Sequence, residues 1–297
     1  MPPTQPLPRP LPITLIVATT PIPYNNATPK TPSRLGIGQN GTLPWPRIKT
    51  DMSFFARVTS RALPPLHPGS GIRTSAIIMG RKTYDSIPAR LRPLGKRVSV
   101  VVSRDGAGGV GERVRAEVER KVQAQVASTS ASASASASTH ALATAPAPAA
   151  ATAPETPPQG QTNAFVSSSL EEALSTLDTA AEKGEVGNVF VIGGAEIYGA
   201  SLKLGSGSTG SGSGQGAEGK EGERQVRIIM TEVEKVDGSA FECDTFFPVD
   251  GEALNGDDWR RVSPQEVAGW VGEEVTGEWI EEGDVRVRMV GYERVHS

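Results

Sequence analysis

Short apolar runs punctuate the chain: "ITLIVA" at 13–18, "SAIIMG" at 75–80, "RVSVVVS" at 97–103, "NVFVIGG" at 188–194, "VRIIMTEV" at 226–233 and "VRVRMVGYERV" at 285–295. Their length and β-branched composition predict strands. The central runs are continuously apolar, as in strands covered on both faces, whereas the last alternates and keeps its arginines on one wet face. Stretches at 51–62, 81–87, 169–182 and 195–202 have helical spacing instead. This order predicts an α/β fold with a mostly parallel sheet and an antiparallel edge, its last strands following one another without helices.

Other stretches carry no apolar period. Residues 127–154 are almost wholly Ala, Ser, Thr and Pro, 205–219 are Gly/Ser-rich, and 1–10 are proline-rich. Such segments cannot bury enough apolar surface to build a core. The chain therefore reads as one domain over 11–297, with a tail at 1–10 and loop insertions at 127–160 and 205–222. Surface loops tolerate such lengths because closure entropy grows by only about 0.6 kcal/mol per doubling. Just before the first insertion, Val110, Val114, Val118, Val122 and Val126 recur every four residues. That stripe predicts a marginal helix leading into disorder, with docking on the domain or on a partner as the alternative.

Composition narrows the function. A net charge of −3 offers no basic field for nucleic acid or an anionic membrane. The single cysteine, Cys243, rules out an internal disulfide and a multi-cysteine metal site. No run has the length of a membrane span, so a cytoplasmic protein is expected. His67, His140 and His296 fall in a Pro-rich loop, a low-complexity tract and the tail, so no metal site is expected.

The chemistry concentrates elsewhere. In "NGTLPWPRIKTDMSFF" (40–55), Pro44 and Pro46 delay the helix until about Thr50, which reads as its N-cap. Asp51 then heads an otherwise apolar face with Phe54, Phe55 and Val58. Such an acid is either a helix-start carboxylate or a group readied for proton transfer by desolvation. "GIGQNG" at 36–41 has the spacing of a dinucleotide loop, but Pro44 and Pro46 forbid the helix such a loop requires. Three strand ends are more promising: Gly80 followed by Arg81, Lys82 and Thr83; Ser103 with Arg104; and Gly193-Gly194 before a helix. Cations, a hydroxyl and close-approach glycines beyond one sheet edge suit an extended, multiply phosphorylated ligand.

In this order and spacing, "LGIGQNGTLPWP", "IIMGRKTYDSIP", "RVSVVVSRD", "FVSSSLEEAL", "VFVIGGAEIY" and "FECDTFFP" resemble the dihydrofolate reductases, most closely the fungal and animal ones. The resemblance covers nearly everything outside the tail and insertions. It implies a single-domain, eight-stranded, mostly parallel sheet with an antiparallel C-terminal edge strand and flanking helices. It also implies NADPH-dependent reduction of 7,8-dihydrofolate to 5,6,7,8-tetrahydrofolate by a monomer, in one-carbon metabolism and as an antifolate target. Carried over by position, Asp51 is the acid of the pterin pocket, and Trp45 and Leu43 belong to the loop that closes over substrate. Ala18, Met52, Phe55, Ile87 and Leu94 would line the folate site, Arg97 would pair with a glutamate carboxylate, and Thr231 would support the pterin end. Cofactor contacts would come from Ala18, Ile37, Gly41, Gly80, Arg81, Lys82, Thr83, Ser103, Arg104, Ile192, Gly193, Gly194, Ala195, Glu196, Ile197 and Tyr198. The Gly193-Gly194 bond would be cis.

The chain departs from the family in three places. Asp51 stands where relatives with the LPWP pattern mostly carry glutamate, Met52 where an aromatic is frequent, and residues 20–35 lengthen the loop before "GIGQNG". Two competing readings are a ribosylaminopyrimidine reductase of the same fold and a non-catalytic dinucleotide-binding module. The LPWP loop and the Asp51 helix weigh against the first, and retention of the acid against the second.

Overall fold

A computed structural model describes residues 10–23, 33–66, 71–105, 108–137, 160–204 and 224–295, with the backbone alone at 33 and 126–137. The order is β1 (Ile13–Pro23), β2 (Ser33–Gly38), α1 (Lys49–Ser60), β3 (Thr74–Gly80), α2 (Arg81–Ser86), a 3-10 turn (Ala89–Leu91), β4 (Val98–Val102) and α3 (Gly109–Ala137). There follow β5 (Asn163–Ser167), α4 (Leu170–Glu182), β6 (Val186–Val191), α5 (Ala195–Lys203), β7 (Val226–Lys235) and β8 (Thr245–Phe246). The chain then continues through α6 (Gly251–Leu254), β9 (Trp259–Val262), α7 (Pro264–Val271), β10 (Ile280–Glu282) and β11 (Val285–Arg294).

Eight strands form the main path, β10-β11-β7-β1-β6-β3-β4-β5, while β2, β8 and β9 pair off it. From β7 to β5 every pairing is parallel; β11 runs antiparallel to β7 and to β10. The expected α/β sheet with an antiparallel C-terminal edge is therefore what the chain forms. One detail differs: α6 and α7 interrupt the last strands. The start of α7 carries a readable signal, since Ser263 and Glu266 close a capping box around Pro264.

Period-two alternation splits each central strand between two cores. On β1, Ile13, Leu15 and Val17 join a cluster with Leu170, Leu174 and Leu177 of α4 and Tyr198 and Leu202 of α5. Ile16 faces the opposite cluster, built from Phe54 and Val58 of α1, Tyr84 of α2, Val110 and Val114 of α3, and Val267 and Val271 of α7. The valine stripe is thus a docked helix rather than a marginal one: Val110 and Val114 are buried and Val118 half-buried, while Val122 is 41% exposed. The backbone stays helical to Ala137, through the first eleven residues of the stretch expected to be an unstructured insertion. The rest of that insertion to 159, all of 205–222, and His67, His140 and His296 lie outside the described residues.

The lengthened loop is also partly strand. β1 continues to Pro23 and pairs antiparallel with β2, Thr20 opposite Gly36 and Pro23 opposite Ser33. "GIGQNG" opens no helix: Gln39 and Thr42 exchange backbone hydrogen bonds of 2.9 and 3.0 Å around Asn40 and Gly41, both with positive φ. This is the Asn-Gly hairpin turn that strand twist favours.

Candidate active site

Helix α1 begins at Lys49, and its N-cap, Ile48, offers no side chain to the free N–H groups. A distant carboxylate does so instead: Glu282 of β10 accepts from the backbone N–H of Lys49 (2.5 Å) and Thr50 (2.9 Å) and from the Thr50 hydroxyl (2.7 Å). Thr50 is therefore a first-turn donor and not the cap. Nothing near residue 50 signals this, because Glu282 lies 232 positions away.

One residue on, Asp51 is half-buried and hydrogen-bonded to the side chain of Thr231, itself buried on β7. Burial pushes the Asp51 carboxyl above its ordinary range, the Glu282 charge adds to that, and the Thr231 bond partly opposes it. Thr231 pairs in register with Ala18 of β1 and with Met289 of β11, so the acid sits over the sheet's parallel-to-antiparallel junction. Trp45 is buried against Phe241, ring centroids 5.9 Å apart, in a cluster with Ile48, Val233 and Val287 that Ala18 adjoins. Leu43, two residues earlier, is 49% exposed. The loop is thus anchored by its tryptophan and presents its leucine.

Expected lining residues gather on one side of α1. Phe55, Ile87 and Leu94 are half-buried against the cluster of Phe54, Val58 and Tyr84, and Met52 is 41% exposed on the helix's open face. Arg97 closes this wall. Though buried, it donates to the Gly95 carbonyl (2.9 Å) and the Thr59 hydroxyl and lies 5.9 Å over the Phe55 ring. Burial depresses its guanidinium to about 10, and among the described residues no carboxylate forms an ion pair with it.

The strand-end groups also converge. β6, β3 and β4 are neighbours, and the Gly80 N–H donates to the Gly193 carbonyl at 2.8 Å. A Cβ on Gly80 would lie 3.3 Å from Ile197, one on Gly194 3.5 Å from the Thr83 hydroxyl, and Gly193 has φ +108°. The Gly193-Gly194 bond is cis. No side chain caps α5 at Gly194, and Ala195 and Glu196 open that helix beyond half-buried Ile192. Arg81, Lys82 and Arg104 are exposed around this edge, with Ser103 half-buried beside them. Three further expected contacts also have structural roles. Tyr198 is buried beneath Gly193 and donates to the Ile16 carbonyl at 2.7 Å, so it supports the edge from below. Ile37 packs against the core on β2, and Gly41 is a turn residue.

An acid-headed helix and a glycine-lined parallel strand edge thus belong to one α/β sheet. The family profile described as "Dihydrofolate reductase" matches residues 31–137. Dihydrofolate reductase of Cryptococcus neoformans var. neoformans is 29% identical over 257 residues, 84% of this chain and 86% of that protein. The Candida albicans enzyme is 27% identical over 252 residues, with the same shares, and the Sus scrofa enzyme 26% over 214, covering 72% and 73%. Schistosoma mansoni dihydrofolate reductase shares the fold, with a TM-score of 0.50 at 23% identity over 95% of this chain and 98% of that one. The chain is therefore similar in sequence to dihydrofolate reductases and shares their fold.

Proposed function

We propose that the chain reduces 7,8-dihydrofolate to 5,6,7,8-tetrahydrofolate with NADPH, as a cytoplasmic monomer feeding one-carbon metabolism and thymidylate and purine synthesis. The observation that carries this reading is the half-buried Asp51, bonded to Thr231 at the head of α1, with its carboxyl pushed by burial above the ordinary range. A pterin presents an amide N–H and an amino group side by side, and a carboxylate pairs with both through charge-assisted hydrogen bonds. Asp51 thereby orients the ring and helps deliver a proton to nitrogen five, through water or the pterin's own tautomer. Protonation makes the neighbouring imine carbon electrophilic.

The glycine edge fits the cofactor because Gly80 and Gly194 present bare backbone in close contact with Ile197 and Thr83, with Arg81, Lys82, Thr83, Ser103 and Arg104 placed for its phosphates. When bound, the nicotinamide supplies the hydride. Leu43 covers the cleft mouth, while Met52, Phe55, Ile87 and Leu94 hold the apolar middle of the substrate and Arg97 takes a carboxylate at its far end. Following NADPH absorbance with dihydrofolate tests the reading: substrate-dependent NADPH loss that Asp51→Asn slows about 10²- to 10⁴-fold near pH 7 supports it, and none with the wild-type protein refutes it.

A further inference from the structure

Helix α3 reaches the substrate wall from outside. Val110 and Val114 anchor its first turns, and Glu117 accepts a 2.5 Å hydrogen bond from the Tyr84 hydroxyl and lies 3.6 Å from the Arg92 guanidinium. One turn on, the Lys121 ammonium donates to the carbonyls of Leu91 (2.8 Å) and Pro93 (2.7 Å). Arg97 holds the same segment from its other end through the Gly95 carbonyl. Two cations therefore bracket residues 91–95, which carry the lining residue Leu94 and the 43%-exposed Leu91. Arg120 joins them, donating to the Ala89 carbonyl at 3.4 Å.

This cluster is electrostatically incomplete. Burial and the nearby Arg97 and Arg120 hold the Lys121 ammonium below its ordinary range. Among the described residues no carboxylate lies within 4.0 Å of these three cations, and Glu117, the nearest acid along α3 to be buried, faces Tyr84 and Arg92. Buried Arg97, half-buried Lys121 and exposed Arg120 repel one another and hydrogen-bond only neutral oxygens, and Lys121 has a donor left for an anion: an ammonium has three N–H groups, of which two are engaged here.

We propose that Lys121 is a specificity-determining residue that completes, with Arg97, a two-cation site for the substrate's tail. Dihydrofolate ends in a glutamate with two carboxylates; Arg97 takes one and Lys121 the other. The proposal rests on the dihydrofolate reading above and assigns α3 a place in substrate recognition.

The test is steady-state kinetics of the full chain with two substrates, 7,8-dihydrofolate and its analogue carrying glutamine in place of glutamate, which lacks the side-chain carboxylate alone. Lys121→Gln keeps an amide donor for the 91 and 93 carbonyls and loses the charge. It should raise KM for dihydrofolate about 5- to 20-fold, the low end for a charge-assisted contact because the site is half-exposed. It should leave kcat, and KM for the glutamine analogue, unchanged, while Lys121→Arg should retain low KM for dihydrofolate. Equal increases for both substrates would make Lys121 a mere brace of the 91–95 segment and overturn the proposal, as would no change for either. A wild-type protein that reduces neither compound would instead overturn the underlying reading, before any variant is compared.

Discussion

Asp51 holds its proton more tightly in the folded chain than in the unfolded one, because burial outweighs the Thr231 hydrogen bond. A raised carboxyl contributes stability that is complete in acid, below the unfolded pKa, and lost as pH rises through the folded value. Asp51→Asn cannot ionise, so it should melt at a higher temperature than wild type near pH 7, and thermal scans should show that gain vanishing in acid. The same variant should lose about 10²- to 10⁴-fold in hydride transfer at pH 7, the usual contribution of a positioned acid. In acid, solvent supplies protonated dihydrofolate, so single-turnover rates should converge; a deficit independent of pH would leave Asp51 no part in protonation. Arg104→Ala tests the other side of the cleft. Its guanidinium is exposed beyond β4. The variant should raise KM for NADPH far more than for NADH if it meets the extra phosphate, since a charged hydrogen bond contributes about 1.5–3 kcal/mol. Both residues were readable locally, one from its place on a helix start and the other from its place after a strand. Glu282 was not, because its role as the cap of α1 depends on β10 folding back beside that helix.

Among the elements, α3 departs furthest from the expectation set by its sequence. Its valine period was legible, yet whether such a stripe docks depends on the surface it meets, and α2 with β5 supplies that surface. Polar matches reinforce the apolar ones: Arg113 pairs with Asp85 at 2.6 Å, and Tyr84 donates to Glu117. Val114→Ala should therefore destabilise the whole domain by about 1–3 kcal/mol, as removal of fully buried methyl groups does. Glu117→Ala should cost a similar amount, because it leaves the buried Tyr84 hydroxyl unpartnered. Denaturant melts would read both; a variant as stable as wild type would return α3 to the marginal helix its sequence suggested. Strands β2, β8 and β10 were illegible for a different reason. β8 and β10 have two and three residues, too few for alternation to register, and β2 follows a proline-rich stretch with little apolar content.

For the molecule as a whole, the insertions are predicted to be spectators. Replacing 138–159 and 205–222 by short Gly/Ser turns should leave kcat and KM nearly unchanged, because closure entropy is only weakly sensitive to length. A soluble, folded and inactive product would show that they take part in function. The replacement spares α3, whose Gln125 amide reaches Thr162 at 3.2 Å and links the helix to the start of β5. Sequence by itself determined the central strands, four of the helices, the acid at the head of α1 and the glycine and cation sets at three strand ends. Each of these is written in a local period, a proline or glycine constraint, or a helix boundary. Tertiary structure alone decided which of them meet. The order β6-β3-β4 carries the glycine and arginine ends to one edge, β7 sets Thr231 against Asp51, and the return of β10 supplies the Glu282 cap. It also decided that a striped helix ending in a low-complexity tract would lie against the segment that carries Leu91 and Pro93. Partners such as Arg97 and Lys121 are brought to one segment by packing, and packing distance has no counterpart in sequence spacing.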